Sequence, residues 1–132
     1  MLKKVVIVVA AVITILLIFA GFLTLRYRSM TQTITTEAAK VTDVDLSEIP
    51  NGDYRGSFGE FLVHIDLEVS VADHRISSID IIEQKCGPGY EATGTVDRII
   101  AAQSPRVDAI TGATGSSYSI MIAVYRALTE KR

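Results

Sequence analysis

The chain has 132 residues, 13 of them basic and 15 acidic, enough for one modest domain and one appendage. Its single cysteine, Cys86, excludes an intramolecular disulfide, and no Cys/His cluster suggests a metal. Beyond position 30, nine basic residues face all fifteen acidic ones, a formal charge of −6. That argues against nucleic acid, whose binding rests on cationic contacts to phosphate.

Residues 5–25 carry no charge and are mostly Val, Ile, Leu, Ala and Phe. As a helix they reach roughly 31 Å, about the thickness of a bilayer's hydrocarbon core. Lys3 and Lys4 precede them; Arg26 and Arg28 follow. A cleaved signal peptide needs a shorter apolar core and a small-x-small site, and Phe22, Leu23, Thr24 and Leu25 offer none. A core helix of a soluble protein would show a polar face. Residues 1–28 therefore read as an uncleaved N-terminal transmembrane helix. Two lysines plus the amino terminus favour the inside position. The expectation is a single-pass protein of the cell membrane with residues 31–132 extracytoplasmic. The acidic charge should hold that domain off an anionic bilayer surface.

Residues 29–48 are polar and rich in Thr, and read as a linker with a short helix at 36–41. Pro50-Asn51-Gly52 is a turn signal that opens a domain over 49–132. "DYRGSF" is a short candidate strand, punctuated by Gly59. Residues 61–71 then alternate: Phe61, Val63, Ile65, Leu67, Val69 and Val71 on one face, His64, Asp66, Glu68 and Ser70 on the other. "ADHR" is a polar turn, and "ISSIDIIE" over 76–83 completes a hairpin. "CGPG" breaks the pattern. Val96, Ile99 and Ile100 suit a helix over 90–103, ended by Ser104-Pro105. A last helix starts near Ser116 or Ser117, with Ile120, Met121, Val124, Ala127 and Leu128 on one face. Arg126, Lys131 and Arg132 sit where its dipole favours cations. The fold class is α+β: a small antiparallel sheet with two helices, preceded by one N-terminal transmembrane helix. A domain of about 80 residues holds one core, so a ligand belongs in a surface cleft.

The chemistry is narrow. Ser116, Ser117 and Ser119 have no histidine nearby, which disfavours a serine hydrolase. "GPGYEATG" lacks the lysine and spacing of a P-loop. His64 reads as a strand-face and His74 as a turn histidine rather than metal ligands. That leaves "DAITGATGSS", residues 108–117. One reading is a helix cap, with Ser116 or Ser117 accepting from a first-turn N–H. The other is an anion site, in which Gly112 and Gly115 let a phosphate approach free helix N–H groups and hydroxyls donate to it. Asp108 would repel a phosphate and fits a turn former or an orienting group.

The arrangement resembles the FMN-binding domain family, which includes the flavin-carrying subunits of the sodium-translocating NADH:quinone reductase and of Rnf-type electron-transport complexes. The likeness covers nearly all of residues 46–128. "IPNGDYRGSF" is similar to the family's N-G-x-Y-x-G opening, and "DAITGATGSS" to its D-x-x-(S/T)-G-A-T pattern followed by a hydroxyl residue and a helix. The chain departs at Ser116, where Thr is frequent, at Gly115, where a bulkier residue is common, and at His74, where Gly is usual.

The resemblance implies FMN as cofactor, joined as a phosphodiester to the side-chain oxygen of Thr114 by a separate flavin transferase that uses FAD and magnesium. It implies that Asp108, Thr111, Gly112 and Ala113 serve recognition or positioning, with Ser116 and Ser117 as further cofactor-binding candidates. The expected function is a membrane-anchored flavoprotein carrying electrons between donor and acceptor proteins, a component rather than a self-contained enzyme, with no catalytic residue and no metal. The alternative is a non-catalytic module that binds FMN or another phosphate ligand without covalent flavin. A plain tethered interaction domain is a third.

Overall fold

The alternating run becomes the centre of a three-stranded sheet. The computed structural model describes residues 1–130; Lys131 and Arg132, expected near the last helix's C-terminus, lie outside the described residues. Strands β1 (Gly52–Glu60), β2 (Val63–Ala72) and β3 (Arg75–Lys85) pair antiparallel in the order β1-β2-β3. On β2, Ile65, Leu67, Val69 and Val71 are buried. On the opposite face Arg55 reaches across to Asp66, Nη2 to Oδ2 at 2.6 Å. Gly59, expected to end the first strand, lies inside it and pairs with His64. Phe61, expected in the second strand, instead forms with Leu62 the turn between β1 and β2, because Glu60 pairs with Val63.

The second turn follows the expectation of a tight hairpin. Asp73 and His74 stand at φ 51° and 59°, so both central residues are left-handed, as a type I′ turn requires. Asp and His tolerate that region better than most side chains. The Asp73 N–H donates to Asn51 Oδ1 at 2.9 Å, which ties the Pro-Asn-Gly turn to the hairpin.

Helix α2 (Gly94–Ala102) starts four residues later than the apolar spacing suggested. Ala92, at φ 53°, interrupts any helix begun at Tyr90. The helix ends at Gln103, also left-handed, whose amide pairs with the backbone of β3: Ile76 N–H donates to Oε1 at 2.8 Å, and Nε2 donates to Ile76 O at 3.0 Å. This pins the start of the loop leading to residues 108–117.

Helix α3 (Thr114–Thr129) lies across β1 and β2. The two backbones meet at Gly56, where a Cβ would stand 2.0 Å from the carbonyl oxygen of Ala123. The five residues read as its apolar face are all buried, and Ile122 and Ala123 are buried as well. The cause is helix α1 (Leu2–Ala38), which covers α3 from the other side.

That contact corrects the reading of residues 29–48 as a polar linker. The helix runs unbroken to Ala38, and Met30 and Ile34 are buried with Val41 in the shared core. No Gly or Pro interrupts residues 26–38, and Met30 and Ile34 fall at i and i+4 on one face. The hydroxyls of Thr31 and Thr35 donate to the carbonyls four residues back, so they do not compete with the helix. Arg126 fastens the junction: Nη2 lies 3.3 Å from Glu37 Oε2 on α1, and its guanidinium lies over the Phe58 ring of β1. The architecture is therefore α+β, preceded by one helix long and apolar enough to cross a membrane, with none of its apolar window buried.

Candidate functional site

The loop between α2 and α3 is braced from two directions. Arg98 on α2 donates from Nη1 to the carbonyls of Asp108 (2.9 Å) and Ala109 (3.2 Å). Ser117, fully buried, accepts from the Ile110 N–H (2.9 Å) and donates to Ala113 O (2.8 Å). Between these points Gly112 turns the chain at φ 82°, a left-handed conformation that a side chain resists. Ser117 is thus a loop brace, not the N-cap. Helix α3 starts at Thr114 after Ala113, with no side-chain cap.

The missing cap has a chemical consequence. The backbone N–H groups of Thr114, Gly115 and Ser116 have no hydrogen-bond partner among the described residues. They stand at the positive end of a sixteen-residue helix. Beside them Thr114 is exposed, and a Cβ at Gly112 or Gly115 would meet nothing within 4 Å. Such a corner suits a phosphate.

It opens into a cleft of about 570 Å³, within the range that holds small ligands. Gly112, Ala113, Thr114 and Ser116 form its polar end. Met30 and Ile34 of α1, Leu62 and Val63 of the β1–β2 hairpin, and Tyr90 after β3 supply an apolar and aromatic end. Among the described residues no charged side chain lines it. The site thus offers anion-binding amides at one end and a surface for a flat apolar ring at the other.

The model of the FMN-binding domain matches residues 63–129. The chain belongs to the FMN-binding domain family. No curated protein matches it. Strand β1, which carries the "NGDYRGSF" likeness, precedes the matched region. FMN is the cofactor that this family membership indicates, and the cleft fits it: the phosphate would meet the free N–H groups of α3, and the isoalloxazine the apolar walls.

A second cleft, of about 670 Å³, is larger but chemically unsuited to the flavin phosphate. It lies at the C-terminal end of α3, where the dipole is negative, and Asp45, Glu48, Asp53 and Glu130 line it beside Arg55, whose guanidinium is paired with Asp66.

The expected flavin residues divide by position. Gly112, Ala113, Thr114 and Ser116 line the cleft, whereas Ser117 lies beneath it. Asp108 and Thr111 are exposed on the loop outside the cleft wall. The Asp108 carboxylate has no hydrogen-bond partner among the described residues, while its carbonyl is held by Arg98. Arg98 and the α1 wall were missed. The i, i+4 pair Met30 and Ile34 was the available signal, hidden in a stretch whose other residues are mainly Thr and Gln.

Proposed function

We propose that this chain is a membrane-anchored electron carrier whose FMN is joined as a phosphodiester to Thr114. The carrying observation is the contrast at the site: an exposed Thr114 stands among unpartnered helix amides, in a cleft that no cationic side chain lines among the described residues. Three amides without a lysine or arginine hold a free phosphate dianion weakly. A covalent link removes that requirement, lowers the charge of the phosphate, and prevents loss by dilution outside the cell.

In the proposed attachment a flavin transferase uses FAD and magnesium. The Thr114 oxygen forms the new P–O bond, the pyrophosphate bond breaks, AMP leaves, and the hydroxyl proton passes to the transferase. Asp108 and Thr111, exposed on the loop that leads to Thr114, are the residues that the transferase would read. Gly112 and Ser117 hold the loop in shape, and the apolar wall excludes water from one side of the ring. When bound, the flavin supplies one- and two-electron chemistry; the chain supplies position and surroundings. Donor and acceptor are partner proteins.

In this reading α1 anchors the chain as a single pass, with the domain extracytoplasmic. The continuous helix takes up much of the expected linker, so donor and acceptor come to the flavin. Colour after denaturation separates the readings. Protein co-expressed with a flavin transferase should stay yellow through guanidinium and dialysis. Colour lost on dialysis would favour a non-covalent FMN module, and colourless protein despite excess flavin a plain interaction domain.

A further inference from the structure

The β1–β2 turn is built from unusual residues. A two-residue hairpin turn with positive φ ordinarily takes Gly, Asn or Asp. Here it holds Phe61, at φ 50°, and Leu62. A bulky aromatic in the left-handed region is a strained outlier, of the kind that points to a use beyond folding. Core burial does not compensate for it, since Phe61 is 40% and Leu62 58% exposed.

The place of this turn supplies the use. Arg26 is the first charge after the apolar residues 5–25, and its guanidinium lies over the Phe61 ring, 5.0 Å from the centroid. Leu62 shares a cleft wall with Tyr27 and Met30. These contacts fall within about a turn and a half beyond Leu25, ~8 Å of axial rise, the depth of a bilayer's headgroup region. Exposed Tyr27 and Tyr90 line the same cleft. Aromatic residues concentrate at that depth, and Arg26 and Arg28 suit lipid phosphates. The nearby acids do not oppose this placement strongly. Glu83 pairs with Lys85 at 3.1 Å, and Glu60 lies on the sheet side of the turn.

We propose that the Phe61–Leu62 turn inserts into the headgroup–acyl boundary of the bilayer that α1 crosses. The inference rests on the reading of α1 as a transmembrane helix. The occupant is phospholipid because the turn abuts the end of the span itself, so any bilayer crossed by α1 reaches it. Insertion fixes the domain against the membrane, and the Thr114 cleft, which shares Leu62 and Tyr27, then sits at the membrane surface.

The chain contains no tryptophan, so single-tryptophan variants report local surroundings directly. The full chain would be reconstituted in phosphatidylcholine vesicles, with brominated acyl chains in one series and iodide on both faces in another. Phe61→Trp and Leu62→Trp should each lose most of their emission to brominated lipid and little to iodide. His74→Trp, at the opposite end of the sheet, should show the reverse. Phe22→Trp reports the span. If it is quenched by brominated lipid while both turn variants respond only to iodide, the anchor stands and the insertion is overturned. Turn variants shielded from both quenchers would place a protein surface there and also overturn it. A Phe22→Trp variant open to iodide would overturn the anchor and the insertion together.

Discussion

At the scale of single residues, the site depends on a loop shape held by few atoms. Ser117 satisfies one donor and one acceptor inside the protein, at 2.9 and 2.8 Å. Ser117→Ala leaves the Ile110 N–H without that partner and should cost about 1–3 kcal/mol, read as a lowered denaturant midpoint. It should also slow flavin attachment, because Thr114 lies one residue beyond the carbonyl that Ser117 holds. The two glycines of the motif should behave differently. Gly112 stands at φ 82°, so Gly112→Ala should destabilise by about 1–2 kcal/mol although its Cβ would meet open space. Gly115 has ordinary backbone and equal room, so Gly115→Ala should leave stability unchanged or slightly raised. Thermal unfolding of the two variants, side by side, tests whether conformation or space fixes the glycines.

At the scale of elements, the docking of α3 on the sheet turns on Gly56. A methyl group there would fall 2.0 Å from Ala123 O and 2.8 Å from Ala127 Cβ. Both neighbours belong to a helix held by sheet and α1, so neither can yield freely. Gly56→Ala should cost about 3 kcal/mol or more, visible in the denaturant midpoint, with Ser57→Ala on the exposed face as a mild control. Strand periodicity made β2 legible, because its buried residues alternate with less buried ones; β3, whose buried Ile76 and Ile79 fall three apart across a register shift, was legible from its place after the polar turn. The α3 stripe was legible from its helical spacing, although α1 covers the helix from the other side and buries Ile122 and Ala123 as well. The start of α2 and the β1–β2 turn were not: Ala92 and Phe61 adopt left-handed backbone that their residue types disfavour. The hidden wall of the cleft was also illegible, because the buried pair Met30 and Ile34 is too sparse to stand out among threonines. The motif at 108–117 was visible as chemistry, but which hydroxyl faces the cleft and which braces the loop is decided by packing.

At the scale of the whole molecule, α1 joins the domain's core directly. Arg126 and Lys40 converge on Glu37 at that junction. The hydrogen bond from Lys40 is the main cause holding the Glu37 carboxyl below its ordinary range; burial opposes it, and the charge of Lys40 and the weaker contribution of Arg126 add to the lowering. A depressed carboxylate stabilises the fold above its unfolded pKa, and that contribution is lost as pH falls through the lower folded value. The junction should therefore loosen in acid, below ~4.3, where an unperturbed glutamate takes up its proton. Glu37→Gln should lower stability slightly at pH 7 and flatten its acid dependence; both ion pairs are solvent-accessible, so the effect is small. In the proposed reading the junction also sets the flavin at a fixed height above the end of the apolar helix. The central claim remains covalent attachment at Thr114, and intact mass after co-expression with a flavin transferase tests it most directly. Wild type and Thr114→Ser should each carry the mass of one FMN joined with loss of water, and Thr114→Ala should carry none. An unmodified wild type, or an adduct that persists in Thr114→Ala, would contradict the account.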